Sequence, residues 1–227
     1  MTKGSSADGV IFSDFLGTGF LIGDQGFALT AAHILTPQNL AGCFVVYDQW
    51  TAIAIKTYEI HDDLDVAILH LADGGPKRSP FRCRNNWEGS GRKYRQFGYP
   101  RHVVWERQAD TNGRVLPNLE LIYTEGYIRR RVSVSLDIKG VNGAEFFEVS
   151  TQAGKGCSGS PLFVQSPDNA WDLIGIYVAE RTTEDEDGDR IGVSYAIREE
   201  GFRNWRPELL AGLSILEESR KVDLTCS

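Results

Sequence analysis

The sequence predicts an all-β fold arranged in two halves, on three observations. Short segments rich in β-branched and aromatic residues recur at 19–22, 44–47, 52–58, 65–71, 119–123, 127–136, 146–150 and 173–178. Gly, Asp, Asn or Pro separates them, a rhythm that suits a barrel or sandwich better than alternating βαβ units. A glycine- and charge-rich stretch, residues 85–95, divides these segments into two groups. The third observation is size: 227 residues suffice for one large β domain or two small packed barrels, each burying its own core.

Taken in order, the chain opens with small polar residues from Met1 to Gly9, without the charged-then-apolar pattern of a signal peptide. Arg129, Arg130 and Arg131 form one basic run, flanked by Ile128 and Val132, and read as a strand edge. The acidic segment 184–189 lies between two strand candidates, and its Asp187-Gly188 predicts an exposed turn. From Phe202 the period changes. Trp205, Leu209, Leu213 and Leu216 recur every three or four residues after Pro207, which predicts an amphipathic helix docked on a barrel or a partner.

A net charge of −7 argues against binding a phosphate backbone, so no nucleic-acid partner is expected. No apolar run approaches the eighteen or so residues of a membrane span, so no membrane partner is expected either. Cys43, Cys83, Cys157 and Cys226 form no Cys-x-x-Cys pair and no dense disulfide framework. They read as reduced thiols in a reducing compartment, which predicts a cytoplasmic location.

Three motifs carry chemistry. His33 ends Leu29-Thr30-Ala31-Ala32-His33, where small residues leave room beside the ring, and an imidazole suits acid–base work near neutrality. Asp65 enters the apolar run Val66-Ala67-Ile68-Leu69, and a carboxylate there is expensive to bury without a partner such as a histidine N–H. Asp62 and Asp63 are alternatives in the more polar approach. Ser158 stands in Gly154-Lys155-Gly156-Cys157-Ser158-Gly159-Ser160-Pro161, where flanking glycines permit a tight turn at a nucleophile. The N–H groups of Gly156 and Ser158 are then placed to converge on a developing oxyanion.

Together, Thr-Ala-Ala-His, Asp-Val-Ala-Ile-Leu and Gly-Cys-Ser-Gly-Ser-Pro resemble the trypsin-like peptidase family in its His…Asp…Ser order. Gly98-Tyr99-Pro100 is similar to the turn opening that family's second barrel, and Leu173-Ile174-Gly175-Ile176 to the strand lining its primary pocket. The resemblance runs from about Gly17 to Leu216. It implies two packed six-stranded antiparallel β-barrels (8–84 and 91–199) and a C-terminal helix (202–220). It also implies a serine endopeptidase with His33, Asp65 and Ser158 as triad, Gly156 and Ser158 as oxyanion hole, and a polypeptide substrate. Substrate-binding positions carried over are Gln152, Ile176, Tyr177, Val178 and Glu180. Gln152 falls near the pocket floor and is neutral; Glu180 falls at the rim, where it either attracts a basic residue, partly obstructs the cleft, or simply leads into the acidic turn. No metal or organic cofactor is implied.

The sequence departs from zymogen-type members in two places. Cys157 replaces the aspartate that would pair with a freed N-terminus, and Ile34 replaces a disulfide cysteine after the histidine. Activation by N-terminal cleavage is therefore not expected, and both departures resemble bacterial and intracellular branches. Cys157 as nucleophile is disfavoured, because only Ser158 stands in the Gly-x-nucleophile-Gly frame. An α/β-hydrolase would place its histidine last, whereas here it comes first. The alternative is a catalytically silent domain that binds a protein partner. An enzyme without zymogen control suggests restraint by a fused or associated regulatory domain, with this chain as its effector.

Overall fold

The computed structural model of the chain describes residues 2–3, 14–35, 40–46, 49–73, 77–104, 108–109, 115–116, 120–184 and 187–221. In the first half the strands are β1 (Thr2–Lys3), β2 (Asp14–Phe15), β3 (Gly19–Ile22), β4 (Phe27–Thr30), β5 (Leu40–Val46), β6 (Gln49–Ile60) and β7 (Ala67–Leu71). They form one antiparallel sheet in the order β2-β1-β5-β6-β7-β4-β3. Among the described residues its end strands β2 and β3 share no ladder, so the expected first barrel is an open sheet. Closure needs long, staggered pairing at both edges, and β1 and β2 contribute two residues each.

The second half contains β8 (Phe81–Cys83), β9 (Lys93–Gly98), a short helix α1 (Arg101–Val104), the small ribbon β10 (Gln108–Ala109) and β11 (Val115–Leu116), then β12 (Ile122–Val132), β13 (Phe146–Val149), β14 (Pro161–Gln165), β15 (Trp171–Glu184) and β16 (Arg190–Arg198). Here the sheet runs β14-β9-β12-β13-β16-β15 and closes through a β14–β15 ladder into a six-stranded antiparallel barrel. Strand β8 adds to its rim by pairing in parallel with β15, Phe81 opposite Trp171. Strand β8, which precedes the boundary expected after residue 84, thus adds to the second sheet.

Burial follows strand position. In β4, β13 and β14 nearly every residue is buried, as expected of short strands covered on both faces, whereas β12 alternates along its first half. The segments expected at 119–123 and 127–136 meet in one strand, Ile122–Val132, which runs through Gly126. A Cβ there would come within 2.4 Å of Thr151 Oγ1 and 2.9 Å of Tyr94 OH, so glycine marks a close approach and not a break. The arginine run does lie at a local edge: β12 pairs with β9 only from Ile122 to Tyr127, so Arg130 and Arg131 have a ladder with β13 alone, and their side chains pair with Glu148 (2.7 Å) and Glu200 (2.5 Å). Glu184 and Arg190 close the β15–β16 hairpin, with Asp187 and Gly188 exposed at its tip.

One continuous core joins the halves, with Phe20, Leu29 and Ile68 packed with Phe81, Phe163, Ile176 and Ile197. A second core of Tyr94, Phe147, Leu162 and Tyr177 fills the closed barrel.

The single helix expected over 202–220 is broken. It consists of α2 (Glu199–Phe202), a 3₁₀ turn (Glu208–Leu210) and α3 (Ile215–Ser219). Ala211 and Gly212 take φ of +50° and +93°, which ends the turn, and Ser214 restarts a helix through a capping box with Glu217. The expected stripe still docks, with Trp205, Leu209, Leu213 and Leu216 packed partly buried against the shared core, while Phe202, Leu210 and Ile215 enter it. No helix among the described residues is long and apolar enough to cross a membrane.

Candidate active site

The segment linking β4 to the following loop holds His33 in a 3₁₀ turn (Ala32–Ile34), directly after the buried Thr30 and Ala31. Asp65 sits just before β7 and is 1% exposed. Its carboxylate contacts His33 twice: Oδ2 lies 2.6 Å from Nδ1, and Oδ1 accepts the backbone N–H at 2.7 Å. The Ala32 N–H donates to the Asp65 carbonyl at 3.3 Å, so the two segments are also joined through their backbones. Asp62 and Asp63 are exposed, and the Asp63 N–H turns back to His61. Long-range geometry thus selects Asp65 from the three candidates.

Ser158 lies on the turn before β14. Gly154, Gly156 and Gly159 take φ of +88°, +98° and +88° there. The turn is stitched by Cys157 N–H to Gly154 O (3.1 Å), Ser160 N–H to Cys157 O (2.9 Å) and Gly159 N–H to Tyr177 O (2.7 Å). Gly159 presses on the first half: a Cβ there would lie 2.1 Å from Thr18 O, 2.3 Å from Thr30 Oγ1 and 3.0 Å from Ala31 N. The turn carrying the hydroxyl therefore abuts the strand end that leads to the imidazole. The Ser158 hydroxyl donates to Val178 O at 3.4 Å and not to the ring. Among the described residues, neither the Gly156 N–H nor the Ser158 N–H is given to an acceptor.

Thr18 is the residue that sequence reasoning passed over. It is 2% exposed and makes four hydrogen bonds, three of which cross to the second half. Its N–H donates to Ser158 O (2.9 Å), its hydroxyl donates to Gly156 O (2.9 Å) and accepts from the Tyr99 N–H (3.1 Å), and its carbonyl accepts from Thr30 Oγ1 (2.7 Å). A threonine between Gly17 and Gly19 was the available signal, since a hydroxyl at a strand entry with no bulk beside it can reach backbone on both sides.

The positions carried over for substrate are distributed unevenly. Ile176 and Tyr177 have side chains 0% and 1% exposed, in the shared core and the barrel core respectively. At this level β15 is covered on both faces. Val178 sits at a register irregularity between β15 and β16 and offers its carbonyl to Ser158. Gln152 is exposed and lies against Gly192, where a Cβ would meet its amide at 2.4 Å. Glu180 reaches from β15 to the nucleophile turn: Oε1 accepts the Gly154 N–H at 2.5 Å and the Tyr177 phenol O–H.

Burial pushes the Cys157 thiol up to about 12, with the Glu180 charge adding to the effect, and its Sγ donates to Ala153 O. It is a packing thiol beside the nucleophile. Burial likewise raises the Tyr177 phenol and keeps it a donor. Among the described residues no group of three His, Cys, Asp or Glu side chains is arranged to hold a metal ion.

The model of the trypsin-like peptidase domain matches residues 17–176, a span that includes His33, Asp65 and Ser158. The chain belongs to the trypsin-like peptidase domain family. Solved structures share its fold. The MamO protease domain from Magnetospirillum magneticum, apo form, superposes with a TM-score of 0.56 at 10% identity, over 82% of this chain and 85% of that one. The Rv3671c protease from M. tuberculosis, active form, gives 0.54 at 19% identity, over 80% and 68%. The HtrA-type protease AlgW with decapeptide gives 0.54 at 17% identity; 82% of this trypsin-like domain spans 48% of that chain. Rv3671c in its inactive form matches as well, at 0.53, so the likeness reports fold and not state of activity. No sequence match was found among curated proteins.

Proposed function

We propose that this trypsin-like domain is a serine endopeptidase that cleaves polypeptides through an acyl-enzyme. The observation that carries the reading is the double hydrogen bond from buried Asp65 to His33, beside the turn that presents Ser158. With Nδ1–H committed to Asp65, the ring's Nε2 is the basic nitrogen. Rotation about the Ser158 Cα–Cβ bond takes the hydroxyl from Val178 O toward that nitrogen. Ser158 Oγ then bonds to the substrate carbonyl carbon while His33 takes the hydroxyl proton. The carbonyl oxygen gathers negative charge against the Gly156 and Ser158 N–H groups. As the C–N bond breaks, His33 passes the proton to the leaving amine. Water, deprotonated by His33, then splits the ester and regenerates Ser158.

The test is labelling with a fluorophosphonate, which reacts only with an activated serine. Wild type should label at Ser158, and Ser158→Ala should abolish labelling and lower peptidase turnover by about 10⁵-fold or more, with the folded state kept. Full activity in that variant would overturn the reading. A silent, partner-binding domain is the second reading, favoured by the Ser158–Val178 bond; a folded wild type that does not label is its signature.

A further inference from the structure

Beside Ser158, two backbone segments run toward the attacked carbonyl: the turn 153–157, and β15 from Tyr177 to Glu180. A substrate residue acylating Ser158 has its Cβ one bond from the carbon next to the attacked carbonyl. The gap between those segments is therefore the nearest enclosed space its side chain can enter. That gap is bridged. Glu180 crosses it to the Gly154 N–H at 2.5 Å and also accepts the Tyr177 phenol O–H. Behind Glu180, the Tyr177 oxygen accepts the Ala153 N–H at 3.2 Å and lies 3.1 Å from Ser194 Oγ on β16. Gln152 closes the next level by lying against Gly192. Strand, turn and neighbouring strand are thus tied together through the interior of the space.

We infer that Tyr177 and Glu180 plug the primary side-chain pocket, so that this domain acylates at residues with small side chains: glycine, alanine and serine. The inference rests on the peptidase reading above. A large side chain must displace the Glu180 carboxylate, which strips the Gly154 N–H of its acceptor and turns the Tyr177 O–H from a charged acceptor to Ser194 Oγ. Losing two hydrogen bonds to a charged acceptor outweighs the benefit of burying one aliphatic side chain. The Glu180 carboxylate is committed to the Gly154 N–H and the Tyr177 O–H, and the neutral Gln152 beyond it supplies no further charge to draw a basic side chain past the bridge.

The experiment measures second-order labelling of the full chain by peptidyl diphenyl phosphonates bearing an alanine, leucine, phenylalanine or lysine side chain, with a fluorophosphonate alongside. Wild type should react at least about ten-fold faster with the alanine probe than with the other three. Glu180→Gly, which removes the bridge and leaves Tyr177 in the core, should reduce that preference at least about ten-fold, chiefly by accelerating the leucine probe. Wild-type reaction with leucine, phenylalanine or lysine as fast as with alanine would overturn the plug while leaving the peptidase reading intact. So would an unchanged preference in folded Glu180→Gly. If that variant does not fold, the wild-type order of rates decides alone. Wild type inert to the fluorophosphonate as well defeats the peptidase reading, and the plug with it.

Discussion

Asp65 holds His33 at two points, through Oδ2 to the ring Nδ1 at 2.6 Å and through Oδ1 to the residue's own backbone N–H at 2.7 Å. The side chain and main chain of the histidine are therefore oriented by one carboxylate, itself 1% exposed. Asp65→Asn separates orientation from chemistry. The amide oxygen can still accept the backbone N–H, but its NH₂ then faces Nδ1 and moves the ring proton to Nε2, where Ser158 needs a base. Turnover should fall about 10⁴-fold with little change in secondary structure. Steady-state rates on a peptide substrate, with circular dichroism alongside, check this; a loss under ten-fold would show that Asp65 only braces the loop.

Gly159 should tolerate no side chain. Its φ of +88° is unfavourable for other residues, and a Cβ would lie 2.1 Å from Thr18 O, a backbone atom that cannot swing aside. Gly159→Ala is expected to destabilise the fold by about 3 kcal/mol or more, as overpacking and backbone strain combine. Urea unfolding measures it, and a shift under about 1 kcal/mol would mean that the junction between the halves yields.

The two described thiols should resist alkylation in the native protein. Burial raises both Cys83 and Cys157, the latter to about 12, so little thiolate exists near neutral pH. Iodoacetamide followed by peptide mapping should modify these residues only after denaturation. Modification of native Cys157 at the rate of a free cysteine would contradict its placement beneath the nucleophile turn.

Stability should decline with rising pH through Glu199. Burial raises this carboxyl from 4.5 to about 8, against the opposing pull of Arg203, with Cys83 and Glu200 also facing it. Between those two values the folded chain keeps a proton that the unfolded chain has released, so the folded state loses ground as pH increases. Glu199→Gln cannot ionise. Its urea midpoint should fall less between pH 5 and pH 8 than that of wild type. Parallel curves would show that Glu199 is ionised throughout.

Much of this molecule is legible in local pattern. The alternation and spacing of β-branched residues mark strands, and small residues around His33 and glycines around Ser158 mark where side chains must be presented. The order of the three motifs points to the family to which residues 17–176 belong. Periodicity misled where a local signal had a long-range cause. Gly126 looks like a strand break, yet it admits Thr151 and Tyr94 to a continuous β12. The repeat from Trp205 to Leu216 looks like one helix, yet Gly212 and the Ser214 cap divide it while its apolar residues dock all the same.

The amino-acid order by itself determined which residue types stand ready for acid–base and nucleophilic work, because strand period and turn chemistry depend on near neighbours. Only tertiary structure decided that Asp65, and neither Asp62 nor Asp63, faces His33. It also decided that Thr18 joins the halves beside Ser158, and that Tyr177 and Glu180 bridge the space next to the nucleophile. Each of these is a meeting of groups far apart in the chain or on separate elements. Such meetings are set by ladder register and core packing, which no local window of sequence contains.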